Sequence, residues 1–407
     1  MIELRSFALP SYAIFAAMLG VSGLPIYIHA PKFFVDNYGV SLSTLGLSLF
    51  FLRLLDFLQD PLLGRIAEKT RKYRVAPVWI AGLIMALGMF GLFSFRAPIT
   101  PVLWFCLTLS AVFTGFSFLS IRFYAQGVSS FGESGQLRLA RWRETGSLLG
   151  ICLAAIAPTF LLTFSDDVFS LYAVLFSGLV FIAIVAMQRH WTTLSNSIAE
   201  QSLRFILSDR VVRQMLVLAV LNTAPVAVSS MLFLFFVESR LLVPDMAGPL
   251  LILFFLAAAI SAPVWTFLAD RFGARRILFI AMVSAVVSFS YTFFLQTGQV
   301  SKFTIICLAS GATLGADLTI LPAIFARRLA STGARAEIGF GLWNFASKVS
   351  LATAAIVVLP VLQFFGFQPG LENSENGLLA LSFGYAALPC TLKIFALWML
   401  LRLRLES

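Results

Sequence analysis

Charged side chains are scarce in this sequence. Only 12% of the 407 residues are Asp, Glu, Lys or Arg, whereas an ordinary soluble domain has about 25%. Soluble domains of this total length need far more polar surface to face water. The composition therefore excludes a soluble protein.

Histidine and cysteine are scarce as well. His29 and His190 are the two histidines, and they stand too far apart in the sequence to predict a metal site. The four cysteines lie singly within apolar segments, which excludes a disulfide framework, a zinc site and a redox motif. The sequence also lacks a nucleophile–base pair and a phosphate-binding loop. We therefore expect neither an enzyme nor a bound cofactor.

Apolar residues make up 59% of the chain and form runs long enough to cross the roughly 30 Å hydrocarbon core of a bilayer as helices. The first run lacks a cleavage site of small residues, so we expect a retained first helix and not a removed signal peptide. The sequence predicts an all-α integral membrane protein. Its twelve predicted transmembrane segments are residues 9–35, 42–63, 75–95, 101–124, 142–164, 168–188, 212–238, 246–268, 276–296, 303–324, 338–365 and 377–401.

Basic residues are concentrated in alternate connections between these segments. The opposite side has only Lys32, Arg96, Arg240 and Lys302. Because cytoplasmic loops carry the excess of Lys and Arg, both termini are predicted to be cytoplasmic. The net charge of +10 thus indicates topology and not a nucleic-acid-binding surface. We expect a monomer in the cell inner membrane, in contact with the lipid bilayer.

The longest connection divides the chain into two halves of six segments each. Its polar residues predict a cytoplasmic linker at 189–211. The predicted domains are therefore an N-terminal six-helix bundle at 1–188 and a C-terminal six-helix bundle at 212–407.

The two halves share a turn after their second segment. Pro263 follows Pro61 by 202 residues, and the same shift matches Asp270 with Glu68. This repeated acidic and basic turn resembles the loop signature of the major facilitator superfamily, which implies two bundles related by a pseudo-two-fold repeat. Acids here can pair with basic residues and act as a gate, or the basic residues can simply anchor the topology. The gating residues we predict are Glu68, Lys69, Asp270, Arg271 and Arg275.

Ionisable residues at membrane depth cost about 2.5–3.5 kcal/mol each, so they are candidates for function. Arg53, Asp56 and Asp60 are spaced to share one face of the second helix. The positions 202 residues later hold Phe255, Ala258 and Ala262, so the charges are not part of the repeat. Two carboxylates one turn apart can bind a hard cation or take a proton. The alternative is a structural ion pair with Arg53 or another basic residue.

Further ionisable residues lie within the predicted segments. Glu144 directly follows Arg143, so we expect it to point elsewhere, and we interpret Glu144 and Asp317 as structural partners near helix ends. Lys348 is predicted to neutralise the aspartates when no cation is bound. Lys393 is expected to reach the interface or pair with an acid and receives no role. The candidate substrate-binding residues are Arg143, Arg122, Tyr124, Trp343 and Asn344, of which the aromatic ones have packing as their alternative role.

Two segments resemble a known transporter family. The segment 53–64 is similar to the second-helix motif of the glycoside–pentoside–hexuronide:cation symporters, the melibiose permease family, and 333–348 is similar to the start of that family's eleventh helix. The resemblance implies a cation-coupled symporter. The roles that it implies are cation ligands for Asp56 and Asp60, a position beside them for Lys348, and substrate contact for Arg143.

The sequence departs from that family in its acids. The first segment has no acid before Asp36, and the fourth has Ser120 beside Arg122 where sugar transporters of the family have a substrate-binding acid. Arg122 and Arg143 together indicate an anionic group on the substrate. Eukaryotic members of the family move lysolipids, and a phenylalanine-rich cavity would accept these too.

The function predicted from the sequence is symport of a small solute, glycoside-type or anionic, with Na⁺ or H⁺ by alternating access. The alternatives within transport are a lysolipid transporter and an uncoupled facilitator or exporter, in which Arg122 or Arg53 permanently neutralises the aspartates. An alternative of another class is a non-transporting sensor or assembly protein with the same fold.

Overall fold

The chain folds into long α-helices. The computed structural model describes residues 9–165, 167–191, 203–368 and 373–403. Within these residues, each of the twelve predicted membrane segments corresponds to one helix. The helices, labelled α1 to α12 in chain order, are Leu9–Tyr38, Leu42–Lys69, Ala76–Phe93, Pro101–Phe131, Gln136–Leu161, Val168–Met187, Arg210–Phe235, Ala247–Phe272, Ala274–Ser290, Val300–Thr332, Ala336–Phe364 and Glu375–Arg402.

Nine helices of the described residues are long and apolar enough to cross a membrane, namely α3, α4 and α6 to α12. Helix α1 contributes a shorter apolar stretch, Leu9–Gly23. Helices α2 and α5 are interrupted by charged residues, which lower their mean hydropathy. The fold is therefore that of a multi-pass membrane protein whose charged residues are concentrated on a few helices.

Local sequence signals set where several helices begin and end. The Ser41 hydroxyl accepts a hydrogen bond from the Thr44 backbone N–H at 3.2 Å and so caps the start of α2. Asp209 does the same for α7, since its carboxylate accepts from the Val211 N–H at 2.8 Å. Gly273 has φ +94, a conformation that favours glycine, and it lets α9 start directly after α8 ends.

The residues divide by their contacts into two compact units. The first unit comprises Met1–Ile206 and Ala326–Phe345, and the second comprises Leu207–Phe325 and Ala346–Ser407. Within the predicted linker, a short helix covers Leu203–Ser208, and residues 192–202 lie outside the described part of the chain. The linker at 189–211 and the two bundles at 1–188 and 212–407 stay predictions.

Close helix contacts in the first unit depend on glycine. A Cβ atom on Gly146 would lie 2.3 Å from the Ala13 carbonyl oxygen, and one on Gly150 would lie 2.2 Å from that of Ala17. Small residues allow such close backbone approach between membrane helices. Helices α1 and α5 therefore pack tightly, which fixes the position of the charged residues at the start of α5.

The second unit has an aromatic core around a wide helical turn. A π-turn interrupts α12 at Phe383–Ala387. The Tyr385 ring in this turn stacks on Phe236 at a centroid distance of 4.3 Å. The remaining turns of α12 bring Lys393 into the interior of the same unit, where its side chain is only 6% exposed.

Candidate functional site

One face of α2 is buried and carries the two carboxylates predicted from spacing. Asp56 is 4% exposed and Asp60 is fully buried. Leu55, Leu58 and Leu62 lie on the opposite face and are exposed, as expected for side chains that contact lipid. The helix thus turns its apolar face outward and holds both carboxylates inside the protein.

Neutral polar side chains of α2 and α4 contact Asp56. Its Oδ1 atom accepts from the Ser117 hydroxyl at 3.2 Å and from the Gln59 side-chain amide at 3.3 Å. The Thr114 hydroxyl in turn donates to the Gln59 side-chain oxygen at 3.0 Å. Carboxylate, hydroxyl and amide oxygens are the ligands that hard cations use in proteins. This group of four side chains is therefore suited to holding a cation or a proton.

The matching place in the second half of the sequence is apolar. Ala258 and Ala262 stand 202 residues after Asp56 and Asp60, and both are fully buried. The two halves thus bury corresponding positions, but only the first half places carboxylates there.

A second polar cluster joins α4 and α5. The Arg143 guanidinium lies 3.7 Å from the centroid of the Tyr124 ring, and its Nε donates to Glu144 Oε1 at 2.7 Å. The Tyr124 hydroxyl donates to the same Glu144 oxygen at 2.8 Å. The expectation that Glu144 points away from Arg143 is wrong, because the long arginine side chain folds back along the tyrosine ring. The charge of Arg143 is therefore compensated by its neighbour.

One nitrogen of the Arg143 guanidinium, Nη2, can still donate a hydrogen bond. Arg143 is 2% exposed, and its Nη2 has no hydrogen-bond partner within residues 9–165, 167–191, 203–368 and 373–403. A buried guanidinium nitrogen without an acceptor costs free energy. An acceptor oxygen on a bound molecule would relieve this cost.

Arg122 lies in a different environment from Arg143. Its Nη1 and Nη2 donate to the carbonyl oxygens of Ala67 and Arg74 at 3.3 and 3.1 Å. Its Nη1 is also 3.9 Å from Glu337 Oε1, which Arg71 contacts at 3.4 Å. Arg122 therefore joins the end of α2 to Glu337, a residue that the sequence analysis assigned no role.

The predicted gating residue Glu68 belongs to the same region. Its Oε1 pairs with Arg335 Nε at 3.4 Å, and Lys69 is the last residue of α2. A Cβ atom on Gly64 would lie 3.0 Å from the Glu337 carbonyl oxygen, and one on Gly341 would lie 2.9 Å from that of Asp60. The end of α2 and the start of α11 are thus in backbone contact and joined by ion pairs.

The other predicted gating residues lie in the second unit. Asp270 is in the last turn of α8, and the Arg271 guanidinium is 5.5 Å from the Phe272 ring centroid. Arg275 Nη2 donates to the carbonyl oxygens of Leu400 and Leu401 at 3.2 and 2.7 Å, which satisfies groups at the end of α12. Arg275 therefore holds α9 to α12.

The remaining predicted residues occupy α11. Trp343 is buried, whereas Asn344 and Lys348 are half-buried. Trp343 and Asn344 belong to the first unit and Lys348 to the second. Their roles toward substrate and cation stay predictions.

A buried ion pair, whose two members the sequence did not assign to each other, lies inside the second unit. The Lys393 ammonium donates to Asp317 Oδ2 and, at 2.7 Å, to Asn222 Oδ1. The interpretation that Asp317 lies near a helix end is wrong, because α10 extends over Val300–Thr332 and places it near the middle. Of the two positions expected for Lys393, the structure gives the pairing with an acid, and that acid is Asp317. No spacing signal joins residues on helices so far apart in sequence.

Comparison with known proteins gives a family and a fold. The sequence matches the family described as MFS/sugar transport protein over residues 6–407. No curated protein sequence matches the chain. A bacterial homologue of the iron transporter ferroportin in an outward-facing state is similar in structure, with TM-score 0.68, 14% identity, and coverage of 96% of this chain and 98% of that one. The E. coli fucose:proton symporter FucP is similar with TM-score 0.66, 14% identity, and coverage of 97% and 98%.

Proposed function

The chain belongs to the MFS/sugar transport protein family, and from this premise we propose that it is a cation-coupled symporter. It moves a small solute across the membrane by alternating access, together with Na⁺ or H⁺. The cation is held at Asp56 and Asp60. Like other proteins with this fold, the chain is a membrane transporter and not an enzyme.

One observation carries the coupling proposal. The chain buries Asp56 and Asp60 on α2 but has Ala258 and Ala262 at the corresponding positions of α8. The repeated scaffold forms without carboxylates at these positions in its second half, so the fold itself does not require them in the first. Ser117 next to Asp56 adds a neutral oxygen of the kind that completes a cation site. Arg53 on the same helix and Lys348 supply the positive charge when no cation is bound.

The solute contacts Arg143 and the residues around it. Since Glu144 compensates the charge of Arg143, this arginine does not need an anion to neutralise it. This favours a neutral, glycoside-type solute over an anionic one. Arg143 Nη2 then donates to a solute oxygen, and Glu144 accepts from a solute hydroxyl. The other residues proposed to contact the solute are Arg122, Tyr124, Trp343 and Asn344.

The gate is formed by the turns that follow α2 and α8. Glu68 and Lys69 act in the first turn, where Glu68 pairs with Arg335, and Asp270, Arg271 and Arg275 act in the second. Ion pairs at half-exposed sites are weak, about 0–1 kcal/mol each. Several such pairs can therefore break and re-form during a transport cycle without a large energy barrier.

The proposal includes a location. The protein is a multi-pass protein of the cell inner membrane with both termini cytoplasmic, and it acts as a monomer. Accessibility of cysteines introduced on the Lys69–Arg74 turn, measured from each side of sealed vesicles, tests this orientation.

The coupling experiment measures cation binding to the purified protein without solute. Na⁺ is expected to raise the melting temperature of the wild type, and Asp56→Asn and Asp60→Asn are expected to abolish this effect. Proton binding is measured in parallel by pH-jump titration. His190 does not interfere near pH 7, because partial burial and the nearby Arg189 lower its pKa below the ordinary value. Asp245→Asn, which removes an exposed carboxylate, is the matched control.

Each result has a definite meaning. If Na⁺ does nothing and both variants lose a bound proton, the coupling ion is H⁺. If neither variant changes the response to either ion, Asp56 and Asp60 are structural, and coupling is refuted. An uncoupled facilitator or exporter then remains, and solute flux without any ion gradient would identify it. Binding of lysolipid, or solute binding without flux, would instead support the lysolipid transporter or the non-transporting sensor.

A further inference from the structure

A cleft lies inside the second unit, lined by α7, α8, α9, α10 and α12. Water-sized molecules can be centred within about 70 Å³ of it, several times the roughly 10–15 Å³ that a single water needs. Its wall is mostly apolar and includes Phe254, Phe289 and Pro389. Asp317 and Lys393 are the charged residues of the wall.

The two oxygens of Asp317 differ in their partners. Oδ2 accepts from Lys393, which also donates to Asn222. Oδ1 is buried and has no hydrogen-bond partner in the part of the chain that the structure describes. Asp317 as a whole is 7% exposed. A buried acceptor without a donor is unfavourable, so a donor at this atom of a wall residue would stabilise the site.

The hydroxyl groups of the wall do not supply that donor. On α7 the Ser229 hydroxyl donates to the Val226 carbonyl at 3.3 Å. The Ser310 hydroxyl donates to the Ile306 carbonyl at 2.6 Å, and the Thr313 hydroxyl donates to the Ser310 carbonyl at 2.8 Å. The hydrogen of each group is therefore used within its own helix, while the hydroxyl oxygens can still accept. The wall thus presents acceptors, and its complement is a molecule that donates.

The charge of the site limits which kind of hydrogen-bond donor can bind there: cationic, anionic or neutral. Lys393 already compensates Asp317, so a cationic ligand would leave an excess positive charge in an apolar region, and an anionic ligand would face an acceptor oxygen. We propose that this cleft binds a neutral ligand with an apolar body and at least one hydroxyl group, whose O–H donates to Asp317 Oδ1. The site is additional to the symport function, because it uses none of the residues given to the cation, the solute or the gate.

Benzyl alcohol and toluene test the proposal on the full-length protein in detergent, since they share an apolar body and differ in the hydroxyl. Binding is measured by saturation-transfer NMR. Benzyl alcohol is expected to bind saturably and at least tenfold more tightly than toluene. The charge-neutral pair of substitutions Asp317→Asn with Lys393→Gln is expected to remove this preference. Ala285→Leu, which narrows the cleft without touching the ion pair, is expected to abolish binding while the melting temperature stays within a few degrees.

Equal binding of the two probes, or binding unchanged by Ala285→Leu, would mean partition into detergent and would overturn the proposal. Absence of saturable binding would do the same, since water alone would then serve Asp317 Oδ1. If the double variant does not fold, Ala285→Leu and the comparison of the two probes still decide. Displacement of benzyl alcohol by glycerol would assign a water-borne ligand, displacement by 1-octanol a membrane-borne one, and displacement by neither would refute the site. None of these results depends on transport.

Discussion

Asp56 in the first unit and Asp317 in the second are both buried carboxylates, and they accept hydrogen bonds from different kinds of side chain. Asp56 accepts from the neutral side chains of Ser117 and Gln59. Asp317 accepts from the ammonium of Lys393. Ser117 and Gln59 place neutral polar groups against Asp56, whereas Lys393 places a full positive charge against Asp317 and compensates it. Burial of an acid in a membrane protein is therefore not enough to assign ion coupling, and the contacts of each acid have to be considered.

Breaking the pair in the second unit should give the largest effect. Lys393→Met leaves Asp317 as a buried charge without its compensating partner, which we expect to destabilise the protein by about 3–5 kcal/mol. Removing both charges together, with Lys393→Met and Asp317→Leu, should restore most of this loss. The free energy of unfolding in detergent, arranged as a double-mutant cycle, measures the coupling. Additive losses would show that the two residues do not act as a pair.

Moving the carboxylate to the matching place of the second half should give the next largest effect. Ala258→Asp places a charge at a fully buried position of α8, and we expect a loss of about 2.5–3.5 kcal/mol. Ala258→Asn has the same size without the charge and is the control. The difference in melting temperature between the two variants isolates the cost of the charge. Na⁺ binding by a well-folded variant that combines Ala258→Asp with Asp56→Asn and Asp60→Asn would contradict the view that the neighbours on α4 make the site.

Removing a neutral partner of Asp56 should have a smaller effect. Ser117→Ala keeps the carboxylates but removes one oxygen, so we expect cation affinity to fall about tenfold with little change in stability. Titration of the melting temperature with the cation measures this. Thr114→Val is the matched control, because Thr114 contacts Gln59 and not the carboxylate. Equal losses from both variants would place the cation elsewhere on α4.

Part of this comparison could be predicted from the sequence. The apolar runs predicted the helices. The spacing of Asp56 and Asp60 predicted that they share one face, because that follows from the period of a single helix. The partner of Asp317 depends on how α10 and α12 pack, which no local pattern encodes. The predicted segment 303–324 ends before Arg327 and Arg328, whereas the helix continues to Thr332, so Asp317 lies closer to the middle of the helix than the segment indicates.

The Arg143–Glu144 pair shows a different limit. Helical geometry directs the Cα–Cβ bonds of adjacent residues to different sides, and the sequence analysis reasoned from that geometry alone. The arginine side chain is long enough to curve along the Tyr124 ring and reach its neighbour. Tyr124 could be proposed as a site residue, but its position as the surface that guides Arg143 required the packing of α4 against α5.

The glycines at the meeting of α2 and α11 have a mechanical consequence. At Gly64 and Gly341 the two backbones touch without side chains that interlock. Helices whose side chains interlock must first move apart before they can slide past one another, and each interlocked side chain raises the energy barrier. Helices that meet at glycines slide or separate over a lower barrier, so the neighbouring ion pairs control when they move. A methyl group at either glycine would interlock with the facing backbone and raise the barrier to relative movement of the two helices.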